Sequence, residues 1–290
     1  VVMIKHASNV PQCAQAIENI FKEARAENGI YTNLFLSSKK IAKIAEDERV
    51  AGLSLTGSEK AGASVAEAAG KNLKKSVLEL GGSDPFIVLE DTDMDVVIKN
   101  AIAGRLGNMG QACTSSKRMI VVESVADDFT NRLLEKIQGM KVGDPADAST
   151  QVGPLCNEEA AEKIKEQVDE TVKAGAKVLL GGKRIDREGA FFEPTILTDI
   201  KKGMPAYHEE LFGPIVMIYK VKDEEEAIQL ANDSSFGLGG SVFSKDIDRA
   251  VELASKIETG MVFINEHTGS RPDLPFGGTK RSGYGRELAA

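Results

Sequence analysis

Short apolar runs alternate along this chain with longer segments whose apolar positions recur at helical spacing, a pattern that predicts an α/β fold built on a parallel sheet. Val1 to Lys5 reads as a short buried strand, Ser8 or Asn9 before Pro11 as a helix cap, and Ala14, Ile17, Ile20, Phe21 and Ala24 as the core face of that helix. Asn28-Gly29 stops it. A strand over Tyr31 to Leu36, a short helix around Lys39 to Glu46 and a strand over Val50 to Leu55 follow, which is half of a doubly wound sheet. The turn T-G-S-E-K-A-G, Thr56 to Gly62, leads into helical composition from Ser64 to Ala69. A glycine turn between strand and helix can offer N–H groups to a phosphate, and is commonly just a turn.

Lys75 to Leu80 is a strand that carries Glu79 and breaks at Gly81-Gly82, where the pattern places a domain boundary. A second α/β unit follows, with strands over Pro85 to Leu89, Met119 to Glu123, Val178 to Gly182, Gly240 to Phe243 and Met261 to Asn265. Its helices cover Met94 to Leu106, Asp127 to Ile137, Glu158 to Ala174, Glu224 to Ala231 and Asp246 to Ile257. In H-E-E-L-F-G-P-I-V, His208 to Val216, two acids precede an aromatic and a Gly-Pro turn; such acids bind ribose hydroxyls or simply end a helix in solvent. P-F-G-G-T-K-R-S-G-Y-G-R-E, Pro275 to Glu287, reads as a mobile glycine-rich tail.

Composition narrows the function classes. With 290 residues, 42% hydrophobic and 28% charged, the chain is an ordinary globule with length for about two domains. A net charge of −8 with Lys and Arg scattered among acids argues against a nucleic-acid partner. No apolar run reaches membrane-spanning length and no signal peptide opens the chain, so no membrane partner and a cytoplasmic location are expected. Cys13, Cys113 and Cys156 are far apart and odd in number, and His6, His208 and His267 lack i, i+4 partners, so neither a disulfide framework nor a metal site is expected. The apolar opening has no polar lead-in, as a fragment of a longer protein would.

Candidate chemistry centres on N-M-G-Q-A-C-T-S-S-K-R, Asn108 to Arg118. Cys113 comes shortly after Gly110 and precedes Thr114, Ser115 and Ser116, where N–H groups at a helix start would lower its pKa and hold an oxyanion. Glu79, in S-V-L-E-L-G-G, is a carboxylate in an apolar strand, a place where desolvation makes a base. Each has a plainer reading, Cys113 as a small buried hydrophobe and Glu79 as an edge charge.

Six segments in series, S-L-T-G-S-E-K-A-G, L-E-L-G-G-S-D-P-F, N-M-G-Q-A-C, H-E-E-L-F-G-P, A-N-D-S-S-F-G-L and P-F-G-G-T-K-R-S-G-Y-G-R-E, resemble the NAD(P)-dependent aldehyde dehydrogenase superfamily across essentially the whole chain. The opening K-H-A-S-N-V-P and E-L-G-G-S-D-P-F look most like its bacterial succinate-semialdehyde dehydrogenase branch. The resemblance implies part of a Rossmann-type cofactor domain over residues 1–81, an α/β catalytic domain over 82–276, and a return segment toward the oligomerisation region over 277–290. It implies Cys113 as nucleophile and Glu79 as base, Lys5 at the adenosine ribose, Gly57 and Ser58 near the pyrophosphate, and Glu210 with Phe212 at the nicotinamide. Ser8 stands where NAD-preferring members commonly carry glutamate, so NADP is expected to be tolerated beside NAD. Some semialdehyde dehydrogenases place an arginine six residues before the cysteine; here that residue is Gly107, and Arg105 and Arg271 are the candidate replacements for gripping a substrate carboxylate.

The implied reaction is oxidation of a small aldehyde, succinate semialdehyde foremost, through a thiohemiacetal and a thioester, by a homodimer or homotetramer of the full-length enzyme. The resemblance also implies truncation at the N-terminus and slightly at the C-terminus. Oxidation of another aliphatic aldehyde, a cofactor-independent cysteine hydrolase and a catalytically silent fragment are the alternatives.

Overall fold

The structure is a computed structural model and describes residues 1–289. The chain divides into two compact units, Val1–Leu53 with Ala63–Ser76, and Ser54–Gly62 with Val77–Ala290.

In the first unit, strands Val2–Ile4 and Tyr31–Asn33 pair in parallel, with Val2 opposite Tyr31 and Ile4 opposite Asn33. Helix Pro11–Glu23 connects them, as a parallel pair requires. Neither Ser8 nor Asn9 caps that helix. Val10 takes the cap position without a side-chain bond, and Pro11, which has no N–H to satisfy, starts the first turn. The expected burial of the opening strand also fails: Val2 is 52% and Met3 48% exposed, because the sheet here has only two strands and the helix buries Ala14 alone.

The second unit is organised on a seven-stranded sheet in the order Phe263–Ile264, Ser241–Phe243, Pro85–Val88, Arg118–Val122, Ile215–Val221, Thr195–Thr198, Lys177–Leu180. Every neighbour pair is parallel except the last, where Lys177–Leu180 runs antiparallel. Pro85–Val88 and Arg118–Val122 are buried at every position, as central strands covered on both faces must be. Side chains alternate between the faces. Phe86, Val88, Met119 and Val121 pack with Val97, Ala101, Phe129 and Leu133 from helices Met94–Leu106 and Glu123–Gln138. Ile87, Leu89, Ile120 and Val122 pack with Ala227, Ala231, Ala250 and Leu253 from helices Glu224–Asn232 and Ile247–Ala254.

Two sequence expectations change here. Helix Glu123–Gln138 begins directly after its strand, earlier than the pattern placed it, since no turn residue intervenes and no side chain caps it. The glycine-rich stretch from Pro275 is built into the fold instead of trailing from it. Thr279–Lys280 pairs with Phe236–Gly237, and Gly283–Tyr284 pairs antiparallel with Glu79 and Leu78 in a three-stranded sheet. Ser282 is fully buried, its hydroxyl donating to Gly81 O at 2.6 Å and accepting from Gly237 N at 3.0 Å. Among the described residues, no helix is long and apolar enough to cross a membrane.

Gly283 carries φ +111°, and a Cβ there would lie 1.9 Å from Leu78 O. Gly283→Ala is expected to break this pairing and destabilise the second unit by about 2–4 kcal/mol. Urea unfolding at neutral pH checks the loss.

Candidate active site

Helix Met94–Leu106 starts under a side-chain cap, Asp93 accepting from Asp95 and Val96, and ends at Gly107. Asn108 and Met109 then adopt left-handed backbone conformations in succession, φ 50° and 59°. That is strain held in place by the surroundings, of the kind concentrated at functional segments. Cys113 sits in the turn that follows and leads into strand Arg118–Val122. No helix begins there, which corrects the expected helix-start environment. Burial raises the Cys113 thiol above its ordinary value; Lys117 and the N–H of Thr114 pull it down, while Asp84 and Glu210 push it up. Among the described residues, the Cys113 N–H meets no backbone acceptor.

Arg105 is not available to a substrate. It is fully buried, and all five of its N–H donors are directed inward. Nε donates to Ile215 O at 2.6 Å, Nη1 to Gly110 O at 3.3 Å and Ser115 Oγ at 2.7 Å, and Nη2 to Leu211 O at 2.9 Å and Gly213 O at 2.6 Å. The residue clamps the segment before Cys113 to the Leu211–Ile215 turn. Arg271 lies in an exposed loop and its Nε pairs with Asp273 Oδ1 at 3.3 Å.

The Leu211–Ile215 turn also aims Glu210. Its Oε1 accepts from Gly82 N at 3.0 Å and pairs with Lys117 Nζ at 3.1 Å, while Lys117 lies 5.9 Å from the centre of the Phe212 ring. The glycine pair makes this approach feasible: a Cβ at Gly81 would lie 2.4 Å from Glu210 Oε2, and one at Gly82 2.5 Å from Cys113 O. Glu210, Phe212, Gly82 and the Cys113 backbone are thus brought together. Lys117 joins them without having been singled out by sequence; the signal was a charged Lys-Arg pair entering a run of buried strand residues. Asp84, buried with one oxygen accepting from Gly239 N at 3.1 Å, was missed as well.

Glu79 ends strand Lys75–Glu79. It is 2% exposed and neither carboxylate oxygen has a hydrogen-bond partner among the described residues. Burial, reinforced by Glu287 and opposed by Arg286, pushes its pKa up to about 7. Its backbone carbonyl accepts from Gly57 N at 2.9 Å, so that N–H is not open to a phosphate. Ser58 Oγ accepts from Ala61 N at 3.3 Å at the start of helix Glu59–Lys71. Lys5 and Ser8 belong to the first unit and follow its strand Val2–Ile4. A cavity of about 760 Å³ lies in the second unit, lined by Gly107, Asn108, Gln111, Cys156 and Phe212 among others.

The model of the aldehyde dehydrogenase family matches residues 1–290. The chain belongs to the aldehyde dehydrogenase family. It is 53% identical over 289 residues to the NADP(+) succinate-semialdehyde dehydrogenase of Deinococcus radiodurans, covering 100% of this chain and 61% of that protein. The crystal structure of succinic semialdehyde dehydrogenase from Streptococcus pyogenes in complex with NADP+ matches with a TM-score of 0.97 at 49% identity, over 99% of this chain and 63% of that one. Betaine aldehyde dehydrogenase from Staphylococcus aureus in complex with NAD+ matches with a TM-score of 0.94 at 34% identity, over 99% and 58%. This aldehyde dehydrogenase chain therefore spans about three fifths of the length of these relatives.

Glu79 is held neutral more firmly in the fold than in the unfolded chain. As pH rises from its ordinary 4.5 through about 7, the unfolded state ionises first and stability falls. Glu79→Gln is expected to remove that decline, so urea midpoints measured from about pH 5 to pH 8 should fall less in the variant than in the parent.

Proposed function

We propose that this chain is the nucleophile- and base-bearing part of an NADP-using succinate-semialdehyde dehydrogenase. The observation that carries the reading is Glu79, a buried carboxylate without a hydrogen-bond partner among the described residues whose pKa of about 7 suits a general base, three residues from the Gly82 that abuts the Cys113 carbonyl. Similarity to the Deinococcus radiodurans and Streptococcus pyogenes enzymes supports the substrate and the cofactor. In this reading residues 82–276 form the catalytic domain, residues 1–81 belong to the cofactor domain and contribute the base Glu79 at their end, and 277–290 return toward the oligomerisation region.

The thiolate of Cys113 adds to the aldehyde carbon, forming the C–S bond of a thiohemiacetal whose oxyanion takes the Cys113 N–H. A nicotinamide held by Glu210 and Phe212 would supply the acceptor for the hydride that the thiohemiacetal loses. Glu79 then takes a proton from water as the water attacks the Cys113 thioester, the C–S bond breaks, and the acid leaves. The residues present fit such a cofactor: Gly81 and Gly82 clear space that a Cβ would fill, Glu210 and Phe212 stand beside it, and Ser58 opens a helix. Glu210 and Phe212 would hold the nicotinamide ribose and ring, Gly57 and Ser58 would lie by the pyrophosphate, and Lys5 and Ser8 would serve the adenosine ribose. Ser8 offers no charge against a 2′-phosphate. The reading carries with it a cytoplasmic homodimer or homotetramer of the full-length protein.

Succinate semialdehyde with NADP, and then with NAD, should raise reduced-nicotinamide absorbance for the chain or for an N-terminally extended version. Reduction confined to NAD would overturn the cofactor assignment, and ester cleavage without any reduction would favour a hydrolase. Cys113→Ala should abolish the signal. Glu79→Gln should give a stoichiometric burst followed by turnover about 10²–10⁴-fold slower, which rapid-mixing absorbance reads directly.

A further inference from the structure

Strand Arg118–Val122 is buried throughout, and the residue that enters it, Lys117, is 0% exposed. A lysine so placed either finds its partners inside the protein or gives up its charge. Its ammonium has three N–H groups. Three acceptors meet them: Ala112 O at 3.0 Å, Cys113 O at 3.1 Å and Glu210 Oε1 at 3.1 Å. Burial pushes Lys117 below its ordinary value, and Glu210 is the foremost group restoring it, with Arg105 opposing and Asp84 assisting.

A methionine would fill the same volume, and an asparagine or serine could bond a carbonyl. Neither could hold two carbonyls and a carboxylate at once. The same Glu210 oxygen also accepts from Gly82 N, so one charge joins the Cys113 backbone, the Glu210–Phe212 segment and the glycine pair that follows Glu79.

We propose that Lys117 is a positioning residue of the active site, locking the backbone of the nucleophile to the carboxylate of Glu210 and providing the positive charge that favours the Cys113 thiolate. The proposal rests on the reading of Cys113 as nucleophile and Glu210 as nicotinamide-ribose ligand. Three charged groups face Cys113, namely Lys117, Asp84 and Glu210, and of these only Lys117 favours the thiolate. Arg105 acts on Lys117 itself, and its donors are all engaged with Gly110, Ser115, Leu211, Gly213 and Ile215.

The test titrates Cys113 by the pH dependence of its alkylation with iodoacetamide, in the full chain carrying Cys13→Ser and Cys156→Ser to remove the two exposed thiols. Neither aldehyde nor cofactor enters. Lys117→Met should raise the midpoint by about 1 unit or more, and Lys117→Arg should bring it back toward the parent. A Met variant with native near-ultraviolet circular dichroism and an unmoved midpoint would overturn the proposal, because a purely structural lysine would not alter the titration. Should Lys117→Met not fold, Lys117→Gln serves instead: it removes the charge while keeping a donor for the Ala112 and Cys113 carbonyls, so the midpoint should still rise. An unmoved or lowered midpoint there overturns the proposal equally. Absence of aldehyde oxidation with the expected titration shifts sinks the dehydrogenase reading and leaves the role of Lys117 toward the thiol standing.

Discussion

Two of the three cations sealed inside the second unit among the described residues, Arg105 and Lys117, impose the constraint on which the site depends. A buried guanidinium with no carboxylate bonded to it must find carbonyls for its N–H groups, and those of Gly110, Leu211, Gly213 and Ile215 come from two separate stretches of chain. Satisfying Arg105 therefore folds the segment before Cys113 against the turn that ends at Pro214. Lys117 does the same one step nearer the thiol, with two carbonyls and a carboxylate. The left-handed backbone at Asn108 and Met109 is held between these anchors.

Glu79 shows the opposite strategy, a charge site from which partners are withheld. Its strand is flanked by Gly283–Tyr284, which supplies backbone pairing and no hydrogen bond to the carboxylate. Close backbone approach at Gly283 is what allows that flank to seat. An unpartnered carboxylate destabilises the fold wherever it ionises, and the retained proton is the property a base near neutral pH requires. Stability and chemistry pull against each other at this residue, while at Arg105 and Lys117 they pull together.

Membership of the aldehyde dehydrogenase family gives these features a common frame. The chain spans about three fifths of the length of the relatives it matches, yet the nucleophile segment, the unpartnered carboxylate and the Glu210 contact all fall within one compact unit. The reacting groups of the proposed mechanism thus depend on a single folded body.

Much of this was legible in the sequence. Continuous apolar runs and period-3.6 patterns located most of the strands and helices, because a sheet covered on both faces requires runs such as Phe86 to Leu89; the inner strand Ile215–Val221 was not among them. Cys113, Glu79, Glu210 and Phe212 stood out through their local motifs and their resemblance to the family. Patterns failed where burial depends on a distant partner. Val2 and Met3 read as core and are exposed, the Pro275 stretch read as a tail and is a sheet edge, and Arg105 read as a candidate grip for a substrate carboxylate and is sealed. The sequence by itself determined the α/β layering and the family, and it singled out Cys113 and Glu79 as the candidate nucleophile and base. Only the tertiary structure decided that Lys117 is the cation bonded to the Cys113 backbone and that the Glu79 carboxylate has no hydrogen-bond partner among the described residues. Those properties arise from contacts between residues dozens of positions apart, and no local pattern of hydrophobic and polar positions encodes which buried charge will find a counterpart.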